Sequence, residues 1–452
     1  MSNAELARRD LAHVWHPCTQ MHDHEWLPLI PIRRAEGVWL EDYDGRRYLD
    51  AISSWWTNLF GHRHPHVVAA LKAQLDELDH VLLAGFTHEP AIRLAEKLCA
   101  LAPAGLNKCF YADNGSAAVE VALKLSFHYW RNLGQSKTRF ITLSNSYHGE
   151  TLGALAVGDV TLYKQIYAPL LMQSITVPSP DCYECAPGQT WEDHSRAQFA
   201  HIEAALERHA RETCAVIVEP LVQCAGGMRM YHPVYLSLLR DACDRYGVHL
   251  IADEIAVGFG RSGSLFACNQ ADDGRGITPD FMCLSKGLTG GFLPLSAVLT
   301  RDVIYQAFYA DYATDKAFLH SHSYTGNPLA CRAALATLEL LAQSEVLSHN
   351  RRLARLMGDS VLDLHEHPHV GEVRQTGMIL AIELVQKKVP RQPYPWQERR
   401  GLRVYQHALT QGVLLRPLGD VIYFMPPYVI NADEIRLLAR VAREGIAIAT
   451  RD

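Results

Sequence analysis

No long apolar run occurs anywhere in the sequence. A membrane-spanning helix needs about eighteen or more consecutive apolar residues, and no such run exists in this chain of 452 residues. Residues 1–10 mix acidic and basic side chains without an apolar core, so they do not resemble a secretory signal. We therefore expect a cytoplasmic protein with no membrane partner.

The sequence also lacks an excess of positive charge. Its formal net charge is −6 at pH 7, with 43 basic and 49 acidic side chains. Proteins that bind nucleic acid usually carry clustered basic charge on the binding face. We expect no nucleic-acid partner, and small molecules as the substrates.

A complete set of metal ligands is missing as well. Cys182 and Cys185 form a CxxC pair, but a zinc site requires a second pair of ligands, and none follows at a suitable spacing. His62, His64 and His66 are interrupted by a proline and have no fourth ligand nearby. We expect no metal. The eleven cysteines are expected to be reduced thiols, and the role of the CxxC pair stays open.

What the sequence does contain is a regular alternation of short apolar runs and helical stretches. Apolar side chains make up 48% of the chain, enough to bury a large core. The alternation predicts an α/β fold, with a large domain over residues 61–336 whose mostly parallel sheet is flanked by helices. Its expected strands are 108–112, 139–143, 215–218, 248–252, 281–284 and 295–300.

The two ends of the chain predict a second, smaller α+β domain. Residues 337–452 contain the apolar segments 378–384 and 421–425 between helical stretches. Residues 1–60 form an N-terminal segment that joins this smaller domain. Within it, residues 38–50 predict a hairpin with an Asp-Gly turn.

The most informative segment places a lysine at the end of a strand. Residues 281–284 are apolar and predict a buried strand, and Ser285, Lys286 and Gly287 follow directly. The carboxyl ends of such strands bind ligands, and a lysine shielded from water there can lose its proton and attack a carbonyl. Lys286 is a candidate imine-forming lysine. From this segment alone, a surface lysine at a strand-to-loop junction is the alternative.

Three other predicted strands end in residues that carry chemistry. Gly115 and Ser116 begin a helix whose N–H groups and hydroxyl can bind a phosphate, although a serine there is more often only a cap. Asp253 needs either a protonated ring nitrogen or an ion pair as its partner. Tyr147 offers an aromatic face, for a flat cofactor or for packing. With Lys286, these residues are the complements of pyridoxal 5′-phosphate.

A competing motif lies between them. Residues 258–263 match GxGxxG after a predicted strand, which raises the alternative of a nicotinamide dehydrogenase. The third glycine of that fingerprint should open a helix, whereas residues 264–269 show no helical start. The sequence therefore favours pyridoxal phosphate over a dinucleotide.

Over nearly its whole length the chain resembles the class III aminotransferases, which are fold-type I pyridoxal-phosphate enzymes. The motifs that carry this resemblance are Asn114-Gly115-Ser116, Tyr147-His148-Gly149, Asp253-Glu254, Ser285-Lys286-Gly287 and Tyr324-Thr325-Gly326-Asn327-Pro328. Further motifs resemble the branch of the family that serves biotin biosynthesis: Trp15-His16-Pro17, Ser53-Ser54-Trp55-Trp56, and Leu415-Arg416-Pro417-Leu418-Gly419 with Tyr423.

The resemblance implies a role for each of the residues at the strand ends. Lys286 would bind the cofactor as an imine and move a proton during the reaction, and Asp253 would keep the ring nitrogen protonated. Gly115 and Ser116 would bind the phosphate. Tyr147 would stack near the ring and contact substrate.

The resemblance also implies a homodimer with sites at the subunit interface. In this family the neighbouring subunit completes the phosphate site, and the positions that match are His322 and Ser323, with Ser321 near the substrate. The site would then be complete only in the dimer. Assembly beyond a dimer stays open.

Substrate recognition is implied for four residues. Arg416 would receive the carboxylate of the oxo acid, as suits a planar bidentate donor. Trp55 and Trp56 would form an apolar wall for its methylene chain, although the sequence alone would place them in the core. Cys18 stands where many relatives have a substrate-contacting tyrosine, so we expect a water or another polar group there.

The implied activity is transfer of the amino group of S-adenosylmethionine to 8-amino-7-oxononanoate, giving 7,8-diaminononanoate. Whether lysine replaces S-adenosylmethionine as the donor stays open, because Cys18 removes the usual marker. Another class III transaminase, acting on an omega-amino acid, ornithine or a diamine, is the first alternative. A non-catalytic cofactor-binding or scaffold protein is the other.

Overall fold

The computed structural model describes residues 1–183, 185–186, 188–343 and 345–451. The strands are β1 Ile32–Glu36, β2 Trp39–Asp42, β3 Arg47–Asp50, β4 Leu106–Ala112, β5 Arg139–Leu143, β6 Ile175–Val177, β7 Thr213–Val218, β8 Val222–Gln223, β9 Arg229–Met230, β10 His249–Asp253, β11 Phe281–Leu284, β12 Ser296–Arg301, β13 Val370–Thr376, β14 Ile379–Leu384, β15 Val413–Leu414 and β16 Val421–Phe424.

The helices are α1 Asn3–Leu11, α2 Ser53–Trp56, α3 Pro65–Leu75, α4 Glu89–Leu101, α5 Gly115–Asn132, α6 Leu152–Ala156, α7 Thr161–Lys164, α8 Trp191–His209, α9 Val234–Tyr246, α10 Asp302–Gln306, α11 Pro328–Leu341, α12 Val346–Asp359, α13 Arg400–Thr410 and α14 Ala432–Ala449. Within the described part of the chain, no helix has both the length and the apolar composition that crossing a bilayer requires.

The chain forms two compact units. The smaller unit comprises Met1–Pro65, Arg352–Arg374 and Leu380–Asp452, and the larger unit comprises His66–Arg351 and Gln375–Ile379. The domain boundaries predicted after residues 60 and 336 remain predictions. The chain passes from one compact unit to the other after residues 65, 351, 374 and 379.

The larger unit is built on a seven-stranded sheet. Its strand order is β4-β12-β11-β10-β7-β5-β6, and the last five of these strands are parallel. Strand β12 is antiparallel to both of its neighbours, so β4 and β11 run in the same direction. As a result, the chain leaves β4, β5, β7, β10 and β11 at the same edge of the sheet.

Burial of apolar side chains holds this sheet in place. Every residue of β7, β10 and β11 is buried, as expected for central parallel strands covered on both faces. Helix α5 contributes a buried stripe that includes Ala118, Val121, Ala122 and Leu125 and belongs to the same apolar cluster as Phe281 of β11. Each fully buried side chain of the size of valine or leucine contributes about 1.5–3 kcal/mol.

The smaller unit contains two further sheets. Strands β1, β2 and β3 are antiparallel, and β15 joins β3 in parallel. The hairpin predicted over residues 38–50 is confirmed by the pairing of β2 with β3, with Trp39 opposite Leu49. In the other sheet, of order β13-β14-β16, strand β14 pairs antiparallel with β16.

Candidate active site

Lys286 lies just beyond the end of β11. Strand β11 pairs in parallel with β10 and places Cys283 opposite Asp253, so the lysine and the aspartate follow from the same edge of the sheet. The backbone of Lys286 has φ of 45°, in the left-handed region, where it turns sharply out of the strand. The Ser285 hydroxyl donates to the carbonyl of Leu295 at 2.7 Å and fixes the start of this turn.

The environment of Lys286 favours a neutral amine. Burial is the largest effect and lowers the pKa of the Lys286 amine, while the nearby groups Asp253, Cys224 and Glu219 act in the opposite direction. The residue as a whole keeps intermediate exposure. An amine with a lowered pKa that remains reachable can act as a nucleophile.

Asp253 is paired with His148. The Nδ1 atom of His148 lies 2.7 Å from Oδ2 of Asp253, and the two side chains are 0% and 5% exposed. The other carboxylate oxygen accepts a hydrogen bond from the backbone of Ile255 at 3.1 Å. These bonds satisfy a buried carboxylate and fix its orientation at the end of β10.

The turn between β4 and α5 has features suited to binding an anion. The first N–H groups of a helix have no partners within the helix and carry its positive end, and α5 is 18 residues long. The helix cap is Asn114, whose Oδ1 accepts from the backbone of Ala117 at 3.0 Å. Ser116 is therefore not the cap, and its hydroxyl instead accepts from the backbone of Glu150 at 2.8 Å.

Gly149 is required beside this turn. A Cβ atom at position 149 would lie 1.8 Å from the Ser116 hydroxyl, and the φ of Gly149 is 126°. Both the space and the backbone conformation exclude other residues. The loop after β5 can therefore approach the start of α5 only with glycine at this position.

Tyr147 lies in the same loop. Its hydroxyl donates to Oε1 of Glu150 at 3.0 Å, and its ring makes an edge contact with Tyr163 at 5.6 Å between centroids. The side chain is half-buried, so part of the ring remains open. The ring is thus held between polar and aromatic contacts after β5.

Glu219 is a residue that the sequence analysis missed. It follows β7 at the same sheet edge, is 5% exposed, and accepts hydrogen bonds from the backbone of Tyr147 and of Cys224, both at 3.0 Å. Burial raises the pKa of the Glu219 carboxyl well above its usual range, and Asp253 raises it further. The sequence signal for Glu219 as a site residue is its position directly after the predicted strand 215–218.

The larger unit therefore brings together the residues expected to bind the cofactor. An amine, a histidine-paired carboxylate and a helix N-terminus all follow from one sheet edge, together with the half-buried ring of Tyr147. This donor set fits pyridoxal phosphate, which requires one group of each kind.

The segment with Ser321, His322 and Ser323 is mostly exposed. Both serines are exposed, and Nδ1 of His322 lies 3.2 Å from a carboxylate oxygen of Asp113. Lys124 of α5 lies 2.9 Å from the ring of His320 and helps to hold the segment. The role of these residues in the site of a neighbouring subunit stays a prediction.

The smaller unit contains the residues expected to bind the oxo acid. The guanidinium of Arg416 lies 4.8 Å from the centre of the Trp55 ring, and its Nη2 donates to the carbonyl of Cys18 at 3.2 Å. Cys18 thus contacts Arg416 through its backbone. Trp56 is buried and donates from Nε1 to the hydroxyl of Tyr423 at 3.1 Å.

Both tryptophans belong to a helical turn of unusual hand. All four residues of α2 have positive φ, from 45° to 75°, and the turn is closed by hydrogen bonds from Trp56 to Ile52 and from Thr57 to Ser53. Left-handed helical backbone costs roughly 1–2 kcal/mol per residue for residues other than glycine. The surrounding contacts must compensate for this strain.

The GxGxxG segment does not form a dinucleotide site. Residues 255–266 form turns with no helix, and the backbone of Gly258 donates to the Glu254 carbonyl at 2.9 Å. Asp280, the acidic residue downstream, forms ion pairs with Arg240 and Arg301 at the opposite end of β11. Asp280 is thus not available as the ribose-binding carboxylate of such a motif.

The weaker ligand candidates are used in other contacts. His62 is bonded to Asp50 at 2.9 Å, and His66 to Glu339 at 2.7 Å. The thiol of Cys185 donates to the carbonyl of Cys182 at 3.3 Å. In residues 1–183, 185–186, 188–343 and 345–451, no three histidine, cysteine, aspartate or glutamate side chains form a group that could hold a metal ion.

Comparison with known proteins gives consistent matches over the whole chain. The sequence profile of the family described as aminotransferase class-III matches residues 20–443. The adenosylmethionine-8-amino-7-oxononanoate aminotransferase of Helicobacter pylori is 47% identical over 95% of each chain. The enzyme of the same name from Geobacter sulfurreducens is 44% identical over 98% of this chain and 97% of its own.

Solved structures agree. The adenosylmethionine-8-amino-7-oxononanoate aminotransferase of Methanocaldococcus jannaschii has a TM-score of 0.93 and 38% identity, covering 98% of this chain and 99% of its own. The omega transaminase of Pseudomonas jessenii in complex with PMP has a TM-score of 0.92 and 28% identity, covering 98% of both chains.

Proposed function

The chain belongs to the class III aminotransferase family, and from this premise we propose that it is a pyridoxal-phosphate-dependent transaminase that forms 7,8-diaminononanoate for biotin synthesis. The amino group comes from S-adenosylmethionine, and the acceptor is 8-amino-7-oxononanoate. The observation that carries the proposal is the meeting of Lys286, the Asp253–His148 pair and the start of α5 at one sheet edge.

The residues of the larger unit would bind and orient the cofactor. The N-terminus of α5, with Gly115 and Ser116, binds its phosphate. Asp253 holds a proton at the ring nitrogen, and His148 keeps the carboxylate in position. Tyr147 covers one face of the ring.

When bound, pyridoxal phosphate supplies an aldehyde that condenses with amines and a ring that withdraws electrons. The role of Lys286 is to hold this group and then to move a proton to and from the substrate carbon. Burial around Lys286 lowers the pKa of its amine, which is the direction that both tasks require.

The residues of the smaller unit would recognise the oxo acid. Arg416 receives its carboxylate as a bidentate donor, and Trp55, in the same turn as the buried Trp56, forms the apolar wall for its methylene chain. The contact between Arg416 and Trp55 supports this role, because it holds the guanidinium beside the indole that would line the methylene chain.

We further propose that the protein acts as a homodimer in which Ser321, His322 and Ser323 serve the neighbouring site. Several large side chains near this segment are strongly exposed in the single chain: Tyr309, Tyr312, Leu319 and Tyr324. Exposed apolar groups of this kind are typical of protein interfaces. Light scattering coupled to gel filtration tests the dimer, and a cytoplasmic location stays an expectation from the sequence.

A half-reaction tests the function. Holoprotein is mixed with S-adenosylmethionine or lysine separately, and the absorbance of the cofactor shows which amine converts it. The acceptor is then added, and 7,8-diaminononanoate is measured. Conversion of the cofactor by beta-alanine or putrescine, with no reaction of the oxononanoate, would instead favour an omega-transaminase. Solved structures of omega-transaminases are also similar to this chain.

A further inference from the structure

The left-handed turn α2 is held by one buried carboxylate. Asp50 is fully buried, and its Oδ1 accepts from the backbone of Ser54 at 2.9 Å and of Ile52 at 3.3 Å. Its Oδ2 accepts from the Ser54 hydroxyl at 2.7 Å and from Nε2 of His62 at 2.9 Å. Four donors thus converge on the carboxylate that precedes the turn.

The other side of the turn is bonded to the strand β16 region. The Ser53 hydroxyl donates to the carbonyl of Met425 at 2.7 Å, and the indole of Trp56 donates to Tyr423. The backbone of Met425 donates in turn to the carbonyl of Ala51 at 2.9 Å. The first and last residues of the turn are therefore anchored, and Ser53 and Trp56 are buried.

Of the two tryptophans in the turn, only Trp55 is exposed. Trp55 is 38% exposed, with the Arg416 guanidinium over its ring. A left-handed backbone directs the Cβ of Trp55 in a direction that a right-handed turn cannot provide. The guanidinium carbon lies over the indole at 4.8 Å and Nη2 donates to the Cys18 carbonyl, so the remaining N–H groups are the part left to bind a carboxylate.

We propose that Asp50 and the left-handed turn are a positioning device that orients Trp55 against Arg416 and so sets specificity for a long-chain carboxylate. Asp50, Ser54 and His62 are positioning residues, since they act through Trp55. Only the identity of the carboxylate substrate rests on the proposed function.

Ser54 offers a matched pair of substitutions. Asparagine adopts left-handed φ more readily than other non-glycine residues, and its amide can still donate to Asp50. Valine is of similar size, but it is β-branched, cannot donate, and strongly disfavours this backbone. Ser54 is exposed, so both side chains have space.

The test measures binding of nonanoate to the holoenzyme by titration calorimetry. Nonanoate has the carboxylate and the nine-carbon chain but neither the reacting keto group nor the amino group of the oxononanoate. Ser54→Val should weaken binding at least about tenfold more than Ser54→Asn. The Michaelis constant for the oxo acid should rise in parallel, with kcat changed less than about threefold. A merely structural role would lower the melting temperature without raising the Michaelis constant selectively over the change in kcat.

Equal affinities of the valine and asparagine variants for nonanoate would overturn the inference. Should Ser54→Val fail to fold, Ser54→Ala decides the question, because alanine removes the donor to Asp50 without β-branching; nonanoate affinity equal to wild type would then overturn the inference. Wild-type protein that binds nonanoate but never aminates the oxononanoate would refute the proposed function and leave this inference standing.

Discussion

Asp253 and His148 form a buried pair, with 2.7 Å between Oδ2 of the aspartate and Nδ1 of the histidine. The pair joins the end of β10 to the loop after β5. One contact therefore orients the carboxylate and also holds the loop that carries Tyr147.

Asp253→Asn should lower kcat by about a hundredfold or more, because an amide cannot hold a proton at the ring nitrogen as a carboxylate does. Asparagine has nearly the same shape and can still contact His148. Cofactor content should therefore remain close to that of the wild type. The measurement is turnover per bound cofactor; unchanged turnover would contradict the role of Asp253.

Lys286→Ala should abolish turnover, with a loss of at least about a thousandfold, while phosphate binding persists. The helix start proposed to bind the phosphate is separate from the lysine in the chain. Borohydride reduction followed by peptide mapping checks the assignment. In the wild type, the reduced cofactor should be attached to the lysine at position 286. Labelling of another lysine in the wild type would refute it.

Arg416→Ala should raise the Michaelis constant for the oxo acid roughly ten- to a hundredfold, since a charged hydrogen-bonded pair contributes on the order of 1.5–3 kcal/mol. Arg416→Lys is the matched control, because lysine keeps the charge but cannot bind in a bidentate manner. Its Michaelis constant for the oxo acid should lie between those of the wild type and Arg416→Ala. An equal rise for the amino donor in both variants would argue against a carboxylate site for the oxo acid.

Glu219→Gln and Glu219→Ala should differ strongly. The carboxyl of Glu219 accepts two backbone N–H groups, and glutamine keeps one acceptor, so kcat/KM should fall less than about tenfold. Alanine leaves both buried donors unpaired, at roughly 1–3 kcal/mol each, and should lower both the melting temperature and kcat/KM. Similar kinetics for both variants would show that Glu219 does not position Tyr147.

Glu254 predicts a pH-dependent stability. Burial raises the pKa of this carboxyl from 4.5 to about 7, although the backbone N–H groups of Ala267 and Cys268 oppose the shift. Because the folded state binds the proton more tightly, the stabilisation is complete below pH 4.5 and is lost as the pH rises through about 7. The loss in unfolding free energy should be on the order of 3 kcal/mol.

Denaturant titrations at about pH 5 and about pH 8 check this. Glu254→Gln should reduce the difference between the two pH values, and the part that remains is expected from other buried carboxyls such as Glu219. Glu207→Gln, on the exposed face of α8, is the control and should keep it. An undiminished difference in the Glu254 variant would contradict the assignment.

The sequence predicted the strands of the large sheet with small errors. The strands 139–143 and 281–284 agree with β5 and β11, and β4 and β7 begin two residues earlier than predicted. Such strands are predictable because they are buried on both faces and form continuous apolar runs. The edge strand β6 has only three residues and no comparable run.

The missed parts of the site depend on contacts between distant residues. The need for glycine at position 149 arises from its approach to Ser116, and the role of Glu219 from its bond to the backbone of Tyr147. The left-handed turn of α2 consists of serine and tryptophan, which do not favour that backbone, and it exists because Asp50 and Met425 bond to it. Neither local pattern nor spacing contains such information.

The antiparallel strand β12 has a consequence for the order in which the protein matures. Strand β4 leaves the ribosome early, yet it enters the sheet only beside β12, whose last residue is Arg301. The start of α5 and Lys286 can therefore take their places at the same sheet edge only after more than half of the polypeptide has been made. Capture of the vitamin-derived coenzyme must follow that event, which makes it a late step in biogenesis.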